Sequence, residues 1–159
     1  MSCNKLGAAI LLLFTASFVH AQMDRWIGLT RSEDGTEVKA SQNTIKTVMG
    51  DRVTIWTLVL GGPPRRFKSG EVATFGRKRW FADCSKSALG LVETLEYNDS
   101  GTVVLRNYWE QPDMEVVRRE SVGAIIVQFA CDSEFRQRHT EWYENPLQKA
   151  MPEVTVGIN

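Results

Sequence analysis

Arg77-Lys-Arg-Trp-Phe-Ala-Asp-Cys-Ser85, RKRWFADCS, carries two different surfaces if it is extended. Successive strand residues point to opposite faces, so Lys78, Trp80, Ala82 and Cys84 fall on one side. Arg77, Arg79, Phe81 and Asp83 fall on the other. The run predicts a strand from Thr74 to Cys84 whose core face begins at Trp80. It ends in a cysteine, which can serve as a nucleophile, a metal ligand or half of a disulfide. The compartment decides among these roles.

The N-terminus supplies the compartment. Lys5 is the only charged residue before Asp24, and the apolar stretch from Leu6 to Phe14 fades out near Val19. Val19-His-Ala21 then offers the small residues that a signal peptidase reads, so residues 1–21 are expected to be a secretory signal peptide. The apolar part is shorter than the roughly 20 residues of a membrane span. No transmembrane segment is expected in the mature chain. Cleavage after Ala21 removes Cys3 and His20 and leaves 138 of the 159 residues, with Cys84 and Cys131 as the remaining cysteines. An exported chain with two cysteines is most simply explained by one disulfide. Closing that loop stabilises a fold by about 4 kcal/mol in the chain-entropy model.

Composition excludes some functions. Without Lys5 the chain has 18 basic and 19 acidic residues, a net charge of −1. A dedicated nucleic-acid binder is normally strongly basic, so none is expected. The length suits one domain with a sizeable core.

Along the chain, Trp26–Thr30 and Thr36–Lys39 are expected as short strands around the Glu33-Asp-Gly35 turn. Ser41–Thr44 reads as a tight turn or single helical turn, and Ile45–Val48 leads to a further turn at Gly50-Asp51. Arg52–Leu60 is β-branched and aromatic, so it predicts a strand, ended by Gly61-Gly-Pro-Pro64. Leu89–Tyr97 and Thr102–Trp109 flank Asn98-Asp-Ser-Gly101, a hairpin turn. From Ser121 the period changes: Val122, Ile125, Ile126, Phe129 and Ala130 follow helical spacing behind an N-cap serine. A buried strand is the alternative for this β-branched run. Phe135, His139, Trp142 and Tyr143 share a second helical face, expected to cover an open sheet face or a dimer surface, and Asn145-Pro146 should end it. Met151–Asn159 reads as a tail. The order of elements predicts an α+β domain, about six antiparallel strands packed against C-terminal helix.

The chemistry-bearing residues are few. His139 is the one histidine left after cleavage, and its aromatic stripe favours packing or hydrogen bonding over catalysis. Cys84, Cys131 and His139 would be three zinc-ligand candidates only if the cysteines were reduced, and the usual ligand spacing is missing. The glycines form no phosphate loop. No metal or cofactor is expected. Arg65, Arg66 and Lys68, with Arg77, Lys78 and Arg79, flank the turn at Ser69-Gly70 and form a candidate basic surface for acidic partners. The plainer explanation is an edge hairpin charged to block aggregation.

Asp34-Gly35, Ser41 to Ile45, Val53-Thr-Ile-Trp56, Phe81-Ala-Asp-Cys84, and Ser121-Val-Gly123 running to Phe129-Ala-Cys131 occur in an order that resembles the surface-adhesin protein E family of Gram-negative bacteria. The resemblance covers Trp26 to Cys131. It implies an antiparallel sheet against a C-terminal helix, a Cys84–Cys131 disulfide, exposure in the envelope and adhesion to host extracellular-matrix or serum proteins. It carries over no catalytic residues. Ser85-Lys-Ser-Ala-Leu89 departs from the arginine-containing run that members often have after the first cysteine, and 28 residues follow Cys131 where many members stop. The expected organisation is a signal peptide at 1–21, an adhesin E-like domain at 22–131 and a helical extension with tail at 132–159. The expected role is that of a non-enzymatic binding domain in the periplasm or on the outer cell surface, possible as a homodimer. The alternatives are a periplasmic structural or accessory protein without a host ligand, and a haem or metal carrier using His139.

Overall fold

The computed structural model describes residues 25–143. The signal-peptide segment, the Asn145-Pro146 stop and the tail lie outside the described residues. Ten strands and two helices follow in order: β1 (Trp26–Arg31), β2 (Glu37–Ser41), β3 (Lys46–Met49), β4 (Arg52–Leu60), β5 (Arg65–Arg66), β6 (Val72–Ala73), β7 (Phe75–Asp83), β8 (Ala88–Tyr97), β9 (Val103–Tyr108), β10 (Glu115–Val116), α1 (Val122–Cys131) and α2 (Ser133–Tyr143). A 3-10 turn at Gln42–Thr44 separates β2 from β3.

Eight strands form one antiparallel sheet. Six lie along the path β1-β2-β4-β7-β8-β10, while β3 pairs with β4 and β9 with β8. β5 and β6 make a separate two-stranded ribbon. All six strands expected from the sequence are present. The additional members are short pieces, of two residues in β10, too brief to show alternation.

Local chemistry accounts for the connections. In the β8–β9 turn, Asn98 Oδ1 accepts hydrogen bonds from the Ser100 and Thr102 amides at 3.1 and 2.9 Å, and Gly101 takes a φ of 75°. Ser121 caps α1, its Oγ accepting from the Ala124 amide at 3.2 Å. That cap and the one-sided burial of Ile126, Val127, Phe129 and Ala130 explain why this β-branched run is a helix rather than a strand. Asp132 then ends α1 and starts α2, because its Oδ1 accepts from the amides of Glu134 and Phe135 at 2.9 and 3.0 Å. Arg136 Nη1 donates to the Phe129 and Ala130 carbonyls, satisfying the open end of α1.

The core lies between one sheet face and the helices. Ile27, Leu29, Ala40, Ile55, Ala82 and Leu89 meet Ile126, Val127, Phe129 and Ala130, with Trp80 packed against them. The Trp80 indole N–H donates to Thr57 Oγ1 at 2.9 Å, so the ring's polar atom is satisfied where it is covered. The Cys84–Cys131 disulfide joins the end of β7 to the last residue of α1, with the Cα atoms 5.6 Å apart. α2 continues the same layer: Phe135 packs on the core, and His139 Nε2 donates to the Gly28 carbonyl at 2.8 Å.

Candidate functional site

The regular antiparallel register of β4 and β7 sets Ile55 opposite Trp80, Trp56 opposite Arg79, Thr57 opposite Lys78 and Leu58 opposite Arg77. Ile55 and Trp80 face the helices. Trp56, Arg77 and Arg79 therefore share the opposite face.

This pairing divides the six basic residues singled out in the sequence; they do not form one lobe. Arg66 and Lys68 are exposed, on the β5–β6 ribbon and its loop. Arg65 and Lys78 turn to the helix-bearing face. There Arg65 forms an ion pair with the buried carboxylate of Glu96. Gly76 makes room for that pair, since a Cβ at this position would sit 2.5 Å from Glu96 Oε2 and 3.0 Å from Arg65 Nη2. Burial raises the Glu96 carboxyl above its ordinary range, with Arg65 and Lys78 opposing. Burial likewise lowers the Lys78 ammonium, with Glu96 opposing. The cluster ties the ribbon to the sheet, with Glu96 buried and 40% of the Arg65 side chain exposed.

Arg77 and Arg79 enter a different arrangement. The Arg77 guanidinium lies over the rings of Trp26 and Trp56, at 5.1 and 5.3 Å. The Arg79 guanidinium lies over Trp56 and Tyr108, at 5.6 and 5.8 Å. Cation–π attraction thus orders a row, Trp26–Arg77–Trp56–Arg79–Tyr108, drawn from β1, β4, β7 and β9. Glu93 on β8, only 5% exposed, accepts from Arg79 at 3.1 Å and from Arg106 at 2.8 Å. Tyr108 and Trp109 remain 57% and 41% exposed at the β9 end. The sequence placed Arg77 and Arg79 away from the core. It did not reveal Trp26, Trp56, Glu93, Arg106 or Tyr108 as their partners, because each comes from another strand and depends on register.

His139 is engaged in packing. Its ring stacks on Phe135 at 5.2 Å and meets Phe129 edge-on at 6.4 Å. No group of three His, Cys, Asp or Glu side chains suited to a metal ion occurs among the described residues. No helix among them is long and apolar enough to cross a membrane.

The family model described as Surface-adhesin protein E matches residues 26–132. The chain belongs to this family. The match takes in the whole sheet, α1 and both bonded cysteines, so α2 lies beyond the part shared with the surface-adhesin protein E model. Solved structures of protein E from Haemophilus influenzae have the same fold. One matches with a TM-score of 0.51 at 14% identity, covering 70% of this chain and 86% of that one. Another, from a non-typeable strain, matches with a TM-score of 0.53 at 13% identity, covering 79% and 89%. No curated protein sequence matches the chain significantly. At such identity the structural likeness carries the architecture, and the residue-level surface has to be argued from this chain.

Proposed function

We propose that the chain is an exported, non-enzymatic binding domain of the bacterial envelope that contacts extracellular-matrix or serum proteins of a host. Membership of the surface-adhesin protein E family over residues 26–132 is the observation that carries this reading. The N-terminal apolar stretch after Lys5 supports export. A disulfide between Cys84 and Cys131, 47 residues apart, suits an oxidising compartment. We take the contact surface to include Arg66 and Lys68, exposed on the ribbon, and Arg79, 31% exposed beside Arg77 on the open sheet face. Arg65, 40% exposed, and Lys78 lie on the other side of the sheet beside Glu96.

The test is labelling of intact cells with an impermeant reagent, followed by binding of the purified chain to immobilised matrix and serum proteins. Labelling without permeabilisation and saturable binding are expected. Labelling only after the outer membrane is opened, together with no binding, would place the chain among periplasmic accessory proteins and overturn the adhesive role.

A further inference from the structure

The chain holds three runs of adjacent cations: Arg65-Arg66, Arg77-Lys-Arg79 and Arg118-Arg119. The fold treats them differently. Arg65 and Arg66 pair with Ala73 and Val72 in the ribbon. Arg77, Lys78 and Arg79 lie in β7, which is bonded to β4 on one side and to β8 on the other. Arg118 and Arg119 lie outside every strand and helix, in the connection from β10 to α1, and they and Glu120 are exposed. A protease takes its substrate as an extended backbone with free amides and carbonyls. A run already hydrogen-bonded into a sheet is refused, and an exposed loop is cut.

Two further features single out this connection. Glu120 has a φ of 60°, a left-handed conformation that a residue with a side chain rarely holds. The turn is closed at one carbonyl, that of Arg118, which accepts from the Ser121 amide at 3.3 Å and from Ser121 Oγ at 2.6 Å. Opening it therefore breaks little and releases backbone strain. The connection also lies between Cys84 and Cys131 in the chain, so its two sides stay joined through the disulfide.

We propose that Arg118-Arg119 is a processing site for a dibasic-specific protease, which cuts the Arg119–Glu120 bond and leaves a two-piece domain held by Cys84–Cys131. Water adds across that peptide bond: its oxygen goes to the Arg119 carbonyl carbon, giving a carboxylate, and its protons go to the Glu120 nitrogen, giving an ammonium. The first piece keeps all ten strands and Cys84, and the second keeps α1, α2 and Cys131. Ile126, Val127, Phe129 and Ala130 remain buried against the sheet, so α1 stays seated. The disulfide thus has a role beyond stability, because it turns a cut that would free the helices into an internal nick. The exported reading supplies only the place where such a protease is met.

The experiment incubates the folded, oxidised chain, purified from the envelope, with a kexin-type dibasic-specific serine endoprotease and reads intact mass with and without reductant. Without reductant the mass is expected to rise by one water. Reductant should then split the chain between Arg119 and Glu120, and circular dichroism of the unreduced product should keep its helical signal. Arg118→Gln with Arg119→Gln should abolish the cut, and Arg66→Gln should leave it unchanged; thermal melting confirms that both variants fold. First cutting after Arg66 or Arg79 would overturn the site. So would a folded chain left whole by a protease that cuts its reduced and alkylated form. Loss of the helical signal on cutting, with the bond intact, would overturn the two-piece domain. Each of these failures would leave the adhesive reading standing, since labelling of intact cells and binding to matrix protein test that separately.

Discussion

Replacing Cys84 and Cys131 together by alanine should destabilise the domain by about 4 kcal/mol. The bond spans 47 residues, a loop that contains β8, β9, β10 and α1. Cross-linking a loop of that length removes about 13–14 cal/mol/K of entropy from the unfolded chain, which is about 4 kcal/mol at room temperature. For a domain of this size about 4 °C of melting temperature accompanies each kcal/mol, so the midpoint should drop by about 15 °C. The native state should survive, because Ile126, Val127, Phe129 and Ala130 still bury α1 against the sheet. Urea unfolding followed by tryptophan fluorescence and far-ultraviolet circular dichroism separates the two states. The midpoint should fall and the denaturant slope should rise, since an unlinked unfolded chain exposes more surface. A loss under about 1 kcal/mol with an unchanged slope would show that the bond barely constrains the unfolded chain, against the entropic account. Loss of helical signal in water would show instead that the bond holds α1 in place in the native state.

Two further outcomes follow from named contacts. His139→Ala removes the bond to the Gly28 carbonyl and the stacking on Phe135, and should cost about 1–2 kcal/mol in urea melts; a melt unchanged by the substitution but shifted by added metal would revive the metal-carrier role. Glu96 holds its proton more tightly in the folded than in the unfolded state, because burial raises its pKa. Its contribution to stability is therefore fully present at acid pH and declines as pH rises through the window above the ordinary carboxylate value. Asp83 is opposite in sign: hydrogen bonds, from Ser85 first and then from the Lys86 amide and Arg52, lower its pKa, so its contribution declines as pH falls through the ordinary carboxylate value. Glu96→Gln should flatten the first slope in urea midpoints and leave the second; a wild-type stability that rises with pH relative to Glu96→Gln would refute the sign.

Legibility differed between the fold and the site for a physical reason. Strands, turns and caps depend on neighbours in sequence. The β-branched and aromatic run Arg52–Leu60, the alternation in Thr74–Cys84, the Asn98–Gly101 turn and the Ser121 cap were all readable because composition, period and local hydrogen bonding declare them. The disulfide was readable because the count left one pairing. The cation–π row was not, because it depends on which residues of four strands come into line. Sequence alternation assigns Arg77 and Arg79 to a face; only the Trp56–Arg79 register and the bulge between Arg79 and Trp80 against β8 bring Glu93 and Tyr108 beside them. The basic cluster failed as a single lobe for the same reason. Adjacent letters in RKR alternate across the sheet.

β7 thus places like charges in two unlike settings, and the contrast bears on where function lies. On the helix side, Lys78 and Glu96 are both pushed away from their charged forms by burial, so their pairing costs desolvation that the attraction only partly offsets. A well-packed apolar pair would serve stability at least as well at this position. What the apolar pair would not supply is the reach to Arg65, which fixes the β5–β6 ribbon over Gly76. On the open side, rings hold the guanidiniums of Arg77 and Arg79 in position, and Glu93 pairs with both Arg79 and Arg106. An arrangement meant only to protect the sheet would not need the aromatic supports drawn from β1, β4 and β9, since exposed lysines suffice to block edge pairing. Cations ordered on rigid strands are what a binding surface for anions requires.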